Sequence, residues 1–225
     1  MTIKRAFGGF LLASLLVISH SSPAISAVSQ ACDRAAVQAA KKTGIPVKIL
    51  LTITRIETGR TRQNQTEPWP WTLNVNGAGH WFKTKAAALS YAKDQRQNGS
   101  KNFDVGCFQI NYRWHGSHFS SLEKMFDPNA NAAYAAAFLK SLFLETQSWP
   151  IAIGAFHSRT DQYAQLYKAR YKKQFEQLTI PSAVKASLQN AVFPLPSETF
   201  QPISLGSLVP ISTFVRNPPL VPQLN

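Results

Sequence analysis

Acidic side chains are scarce in this chain: 225 residues carry only 11 Asp and Glu against 24 Lys and Arg, a formal charge of +13 at pH 7. Such an imbalance points to anionic partners. Chemistry-bearing motifs are scarce too. There is no Gly-rich phosphate loop and no Gly-x-Ser-x-Gly elbow. The five histidines, His115 and His118 included, lack the helical i, i+4 pair with a carboxylate that a zinc protease needs. No cofactor and no metal is therefore expected. No internal repeat is visible, and only two cysteines, Cys32 and Cys107, are present.

The single long apolar run lies at the start. Residues 1–27 combine a short basic opening (Lys4, Arg5), an apolar stretch from Phe10 to Ile18 and small residues from Ala24 to Ala27. This is the pattern of a signal peptide, too short for a lasting membrane anchor. An exported, periplasmic protein without a stable anchor is expected. Export bears on the cysteines. In an oxidising compartment Cys32 and Cys107 would close a loop of 75 residues, and otherwise they remain buried thiols. Export also bears on the charge, because no nucleic-acid partner is expected there, whereas cell-wall polymer and membrane surfaces are the acidic materials that an exported protein would meet. The cations are scattered, as in "YKARYKK", and read as solvated helix faces.

The length suits one domain with an appendage. The segment from Ser29 to Lys42 reads as an Ala-rich helix ending at Gly44, and Pro46 opens a second helix on which Lys48, Thr52 and Arg55 form a polar stripe. Residues 71–82 read as two short strands around a Gly-containing turn, and a helix stopped by Gly99 follows. "NFDVGCFQIN" is a short buried segment. Asp127-Pro128 caps a long helix, and further helices cover about 149–157 and 161–178. The fold class is mainly α, with a small β-hairpin insertion. Residues 28–180 form the folded domain. Residues 181–225 hold eight of the fourteen prolines and read as an extended, Pro-rich, flexible tail that either docks on a protein partner or folds back on its own domain.

Of the few carboxylates, Asp33 and seven others sit in polar, capping or tail contexts, which leaves Glu57, Glu67 and Asp104. Glu57 closes the apolar helix "ILLTITRIETG", in line with Leu50, Ile53 and Thr54 on its core side. Burial and the negative end of the helix both favour its protonated form, as a general acid requires.

The succession "LLTITRIETG", "DVGCFQIN", "DPNANAAYAAAFLKSL" and "AIGAFHS" resembles the lytic transglycosylase catalytic domain, a lysozyme-like family that cleaves peptidoglycan, over about residues 30–175. The resemblance implies a lysozyme-like α-helical domain in which Glu57 is the catalytic acid and base and Thr58 stands for the usual Ser. Gln109 lines the sugar cleft, with Gly106 opening its segment, Phe108 in place of Met and Asn111 at its end. Asn131 matches the Asn of the helix start. Phe156 replaces a Tyr near the Glu, and Tyr163 or Tyr167 is expected to restore the lost hydroxyl; His157 and Ser158 replace Asn-Ala. "PWPWTLNVNGAGHWF" resembles an insertion of a subgroup associated with envelope-spanning machines. The implied substrate is the peptidoglycan glycan strand, cut with formation of a 1,6-anhydro product. Hydrolysis by a muramidase using Asp104 or Glu67, and a non-catalytic wall-binding assembly role, are the alternatives. Trp69, Trp71 and Trp81 either stack on sugars or plug the hairpin against the helices.

Overall fold

The computed structural model describes residues 25–62 and 65–189. The signal segment, apart from Ile25 to Ala27, and residues 190–225 of the Pro-rich tail lie outside the described residues. Nine α-helices and six short strands occur among those described, so the chain is mainly α. No helix among them is long and apolar enough to cross a membrane.

Helix α1 (Ile25–Thr43) ends at Gly44, whose φ of +70° turns the chain into Pro46 and α2 (Val47–Thr58). That left-handed position suits glycine because no Cβ opposes it. A small hairpin follows, β1 (Arg60–Arg62) with β2 (Gln65–Glu67). The second hairpin, β3 (Thr72–Val75) and β4 (Ala78–Trp81), turns through Asn76 (φ 50°) and Gly77 (φ 88°). Two consecutive positive φ angles match the twist of the flanking strands, the reason Asn-Gly is favoured there. Next come α3 (Lys85–Gln97), β5 (Phe103–Val105) and β6 (Ile110–Asn111), and the antiparallel sheet runs β4-β3-β5-β6.

Two short helices, α4 (Tyr112–His115) and α5 (Leu122–Met125), lead to α6 (Pro128–Thr146). Asp127 accepts from the Ala130 amide at 2.9 Å, and Pro128 opens the helix where a missing N–H costs nothing. The body is completed by α7 (Trp149–His157), α8 (Asp161–Gln177) and α9 (Ser182–Gln189).

The core joins one face of the sheet, Leu73, Val75, Phe103, Val105 and Ile110, to the helices. Helices α1 and α6 pack together, and both bury alanines: Ala35, Ala36 and Ala39 on one, Ala132, Ala135 and Ala136 on the other. Small side chains allow helix axes to approach closely. Cys32 on α1 is bonded to Cys107 in the β5–β6 turn, with Cα atoms 5.6 Å apart. The disulfide, rather than the pair of buried thiols, is thus the arrangement found.

Two expectations require correction. Arg55 and Thr52 do not form a solvated stripe: both are buried, as is every residue from Ile49 to Thr58. The reason lies in Asp33, which is not a surface group but a buried partner on α1. Its two oxygens accept from Nη1 and Nη2 of Arg55 at 2.7 and 2.9 Å, a bidentate pair that allows the charge inside. The second correction concerns the boundary at 180/181. Helix α9 lies in the span read as tail, Val184 is buried, and Lys41 of α1 donates to the Ser187 carbonyl at 3.3 Å. After Pro181 the next proline is Pro194, so the intervening segment has no proline to forbid a helix.

Candidate functional site

The end of α2 is the place where buried polar groups converge. Glu57 is 4 % exposed on a helix whose residues from Ile49 to Thr58 are all buried. Its Oε1 accepts a 2.8 Å hydrogen bond from the hydroxyl of Tyr167, 110 residues later on α8. Of the two tyrosines expected to supply a hydroxyl, Tyr167 makes this bond; Tyr163 lies one turn earlier and is half-buried. Behind Tyr167 stands His157, its ring centroid 4.5 Å away and its plane only 5° from parallel.

The neighbouring Thr58 explains how the helix terminus is held. Its hydroxyl donates to the Thr54 carbonyl at 3.0 Å and accepts from the Trp69 amide at 3.1 Å, while its own carbonyl accepts from Trp81 Nε1 at 3.2 Å. Helix ends expose unsatisfied carbonyls, and here a side chain from the hairpin supplies a donor. Gly59 follows with an ordinary negative φ of −61°. What demands glycine is space, since a Cβ there would collide with the Arg55 carbonyl and Thr66 Cγ2.

A relay of bonds links this terminus to the β5–β6 turn. From Thr58 it passes to Trp69, whose carbonyl accepts from Thr72 Oγ1 at 2.8 Å, and the Thr72 carbonyl then accepts from Gln109 Nε2 at 3.2 Å. Gln109 also donates from Nε2 to the Gly106 carbonyl at 2.9 Å. With φ of 46° and 2 % exposure, Gln109 sits in the left-handed region, and its amide nitrogen braces the turn that bends it. Gly106 is constrained twice: its φ is +76°, and a Cβ would press on the Asn131 amide at 3.0 to 3.3 Å.

The other expected residues are bonded into or packed against the scaffold. Phe108 is fully buried, and its amide donates to Asn131 Oδ1 at 2.9 Å; Asn131 returns bonds to the Val105 and Met125 carbonyls. Asn111 donates to Asp104 Oδ1 at 2.9 Å across the strands and caps α4 through the Trp114 amide. Phe156 packs in the core, 5.7 Å from the Phe138 ring. Trp69 is 7 % exposed and donates to the Phe82 carbonyl, so with Trp81 it plugs the hairpin against α2. Arg60 lies over the Trp69 ring at 4.6 Å, and Glu67 is its partner across the β1–β2 hairpin.

The residues missed in the sequence are the Asp33–Arg55 pair and the ring stack of His157 on Tyr167. An arginine among the Ile, Leu and Thr residues of α2 was the one available signal for the first. The second needs the crossing of α7 and α8, which no local pattern encodes. Among the described residues no group of three or more His, Cys, Asp or Glu side chains is placed to hold a metal. No family model matches the chain, nor does any curated protein or solved structure.

Proposed function

We propose that the chain is a lysozyme-like lytic transglycosylase that cuts the β-1,4 bond between N-acetylmuramic acid and N-acetylglucosamine in peptidoglycan and leaves a 1,6-anhydro end. The observation that carries the reading is a carboxylate, Glu57, buried at the end of a buried helix with a phenol hydroxyl on Oε1. Ordinary glycosidases divide the work between two carboxylates. Here a single group performs both halves. Protonated Glu57 gives its proton to the glycosidic oxygen as the bond to C1 breaks, and the substrate's acetamido carbonyl stabilises C1. The resulting Glu57 carboxylate is held by the Tyr167 hydroxyl, since a donated hydrogen bond favours the charged form. It then takes the proton of the sugar's O6 hydroxyl as that oxygen closes on C1. Atoms balance without water, and burial of the carboxylate disfavours a competing hydrolysis. Export to the periplasm and service to an envelope-spanning machine complete the proposal, with the tail as the segment that meets a protein partner.

Purified protein should release anhydro-ended muropeptides from peptidoglycan, identified by mass spectrometry, and Glu57→Gln should abolish the release while keeping the fold. Reducing ends in place of anhydro ends would make the protein a muramidase, with Asp104 or Glu67 positioning water. Undiminished lysis by Glu57→Gln would remove the assignment of this site, and no lysis by either protein would favour a wall-binding assembly role.

A further inference from the structure

Neither the proton carrier nor its hydrogen-bond donor gives His157 a task, yet His157 is 7 % exposed and lies flat on Tyr167. The seam between α7 and α8 is tight because of Gly154, one turn before His157. A Cβ at Gly154 would stand 3.2 Å from Lys168 Cδ and 3.3 Å from Ala164 Cβ. Positions 154 and 157 share a helix face, so the glycine that admits α8 also brings the imidazole down onto Tyr167. A phenol can lose a hydrogen bond by swinging its ring, and a flat neighbour at 4.5 Å limits that swing. Small displacements matter at such a bond, since a misplacement of about 1 Å can cost on the order of 100-fold in rate.

We propose that His157 is a positioning residue: its imidazole fixes the plane of Tyr167, and so the aim of the phenol hydroxyl at Glu57 Oε1. The inference rests on the reading of Glu57 as proton carrier. Beside Gly154 the Lys168 side chain lies along the same α7–α8 seam.

Four variants test it: His157→Ala, His157→Phe, Tyr167→Phe and the double variant His157→Ala with Tyr167→Phe. Two quantities are measured in each. One is the initial rate of muropeptide release from purified peptidoglycan. The other is the titration midpoint of the Glu57 carboxyl by carbon-13 NMR, its resonance assigned by its loss in Glu57→Gln. Removing the hydroxyl in Tyr167→Phe should raise the midpoint, because the carboxylate loses a donor. His157→Ala should move it the same way by a smaller amount and lower the rate on the order of 10-fold. His157→Phe, which restores a flat ring, should recover most of both losses. In the double variant the histidine change should add nothing.

A midpoint unmoved by His157→Ala, a full additive effect in the double variant, or a failure of His157→Phe to improve on Ala would each overturn the proposal. If a melting curve shows His157→Ala unfolded, His157→Phe against His157→Leu makes the same comparison of a flat ring with a similar bulk. Undiminished activity of Glu57→Gln would instead refute the underlying reading and leave the NMR comparison standing.

Discussion

Reduction of the disulfide should cost the fold a large share of its stability. The bond between Cys32 and Cys107 closes a 75-residue loop, and the chain-entropy model then removes about 4 kcal/mol of freedom from the unfolded state. For a domain of this size each kcal/mol shifts the melting temperature by roughly 2–4 °C, so a loss of roughly 8–16 °C is expected. The assay compares thermal melts of the oxidised protein, the same protein with a thiol reductant, and Cys32→Ala with Cys107→Ala. Agreement between the reduced protein and the double variant separates the cross-link from the small void that two missing sulfurs leave. Both cysteines are fully buried, so reduction below the melting range should be slow and should accelerate as the protein opens. A reduced protein melting within about 3 °C of the oxidised one would refute the reasoning, whatever the fate of Glu57.

Three further outcomes follow from named contacts. Asp33→Asn should destabilise by about 3–5 kcal/mol in urea unfolding because it strands the Arg55 guanidinium, whereas replacing both partners by apolar residues of similar size should cost far less. Gly59→Ala should destabilise by about 1–3 kcal/mol, since its Cβ collides with the Arg55 carbonyl and Thr66; circular dichroism melts would show it. The Arg159 guanidinium bonded to Glu145 holds that carboxyl below its ordinary value of 4.5. Its stabilisation is therefore fully present above the unfolded value and is lost as pH falls through the lower folded one. Both side chains are about half exposed, so Glu145→Gln should flatten the stability profile below about pH 4.5 by less than about 1 kcal/mol.

Helices were legible where local signals were strong. Gly44, Pro46, Asp127-Pro128 and Gly99 punctuate the chain, and α1, α2, α3 and α6 begin or end beside them. The Asn76-Gly77 hairpin was equally local. Hairpin β1–β2 was not foreseen, because "RTR" and "QTE" are polar and three residues long, which leaves no periodicity to read. Glu57 was placed on the core side by spacing from Leu50 and Ile53, and the same counting misplaced Arg55. Spacing reports which residues share a face; it does not report that Asp33, on another helix, neutralises what that face carries. Phe108 and Gln109 show the complementary limit of local reading. Their role follows from a positive φ at Gln109 and from bonds to Thr72 and Asn131, 37 and 23 residues away from their donors, and no contiguous stretch contains that information.

Why a carboxylate should be tolerated at the end of α2 becomes a question of what keeps the surroundings from relaxing. Cys32 and Asp33 are consecutive on α1, about 100° apart around its axis, and they grip different parts. The first is bonded to the turn that carries Gln109; the second holds Arg55, two residues before Glu57. One helix thus references both the turn and the acid-bearing terminus, while the Thr58–Trp69–Thr72–Gln109 relay ties the same two parts from the hairpin side. The hydroxyl on Glu57 arrives from a third direction, α8. A group so enclosed cannot escape to solvent by moving its helix end alone, because movement would break a buried ion pair, the relay or the bond from Tyr167. Rigidity of this kind keeps a buried carboxyl in a costly position.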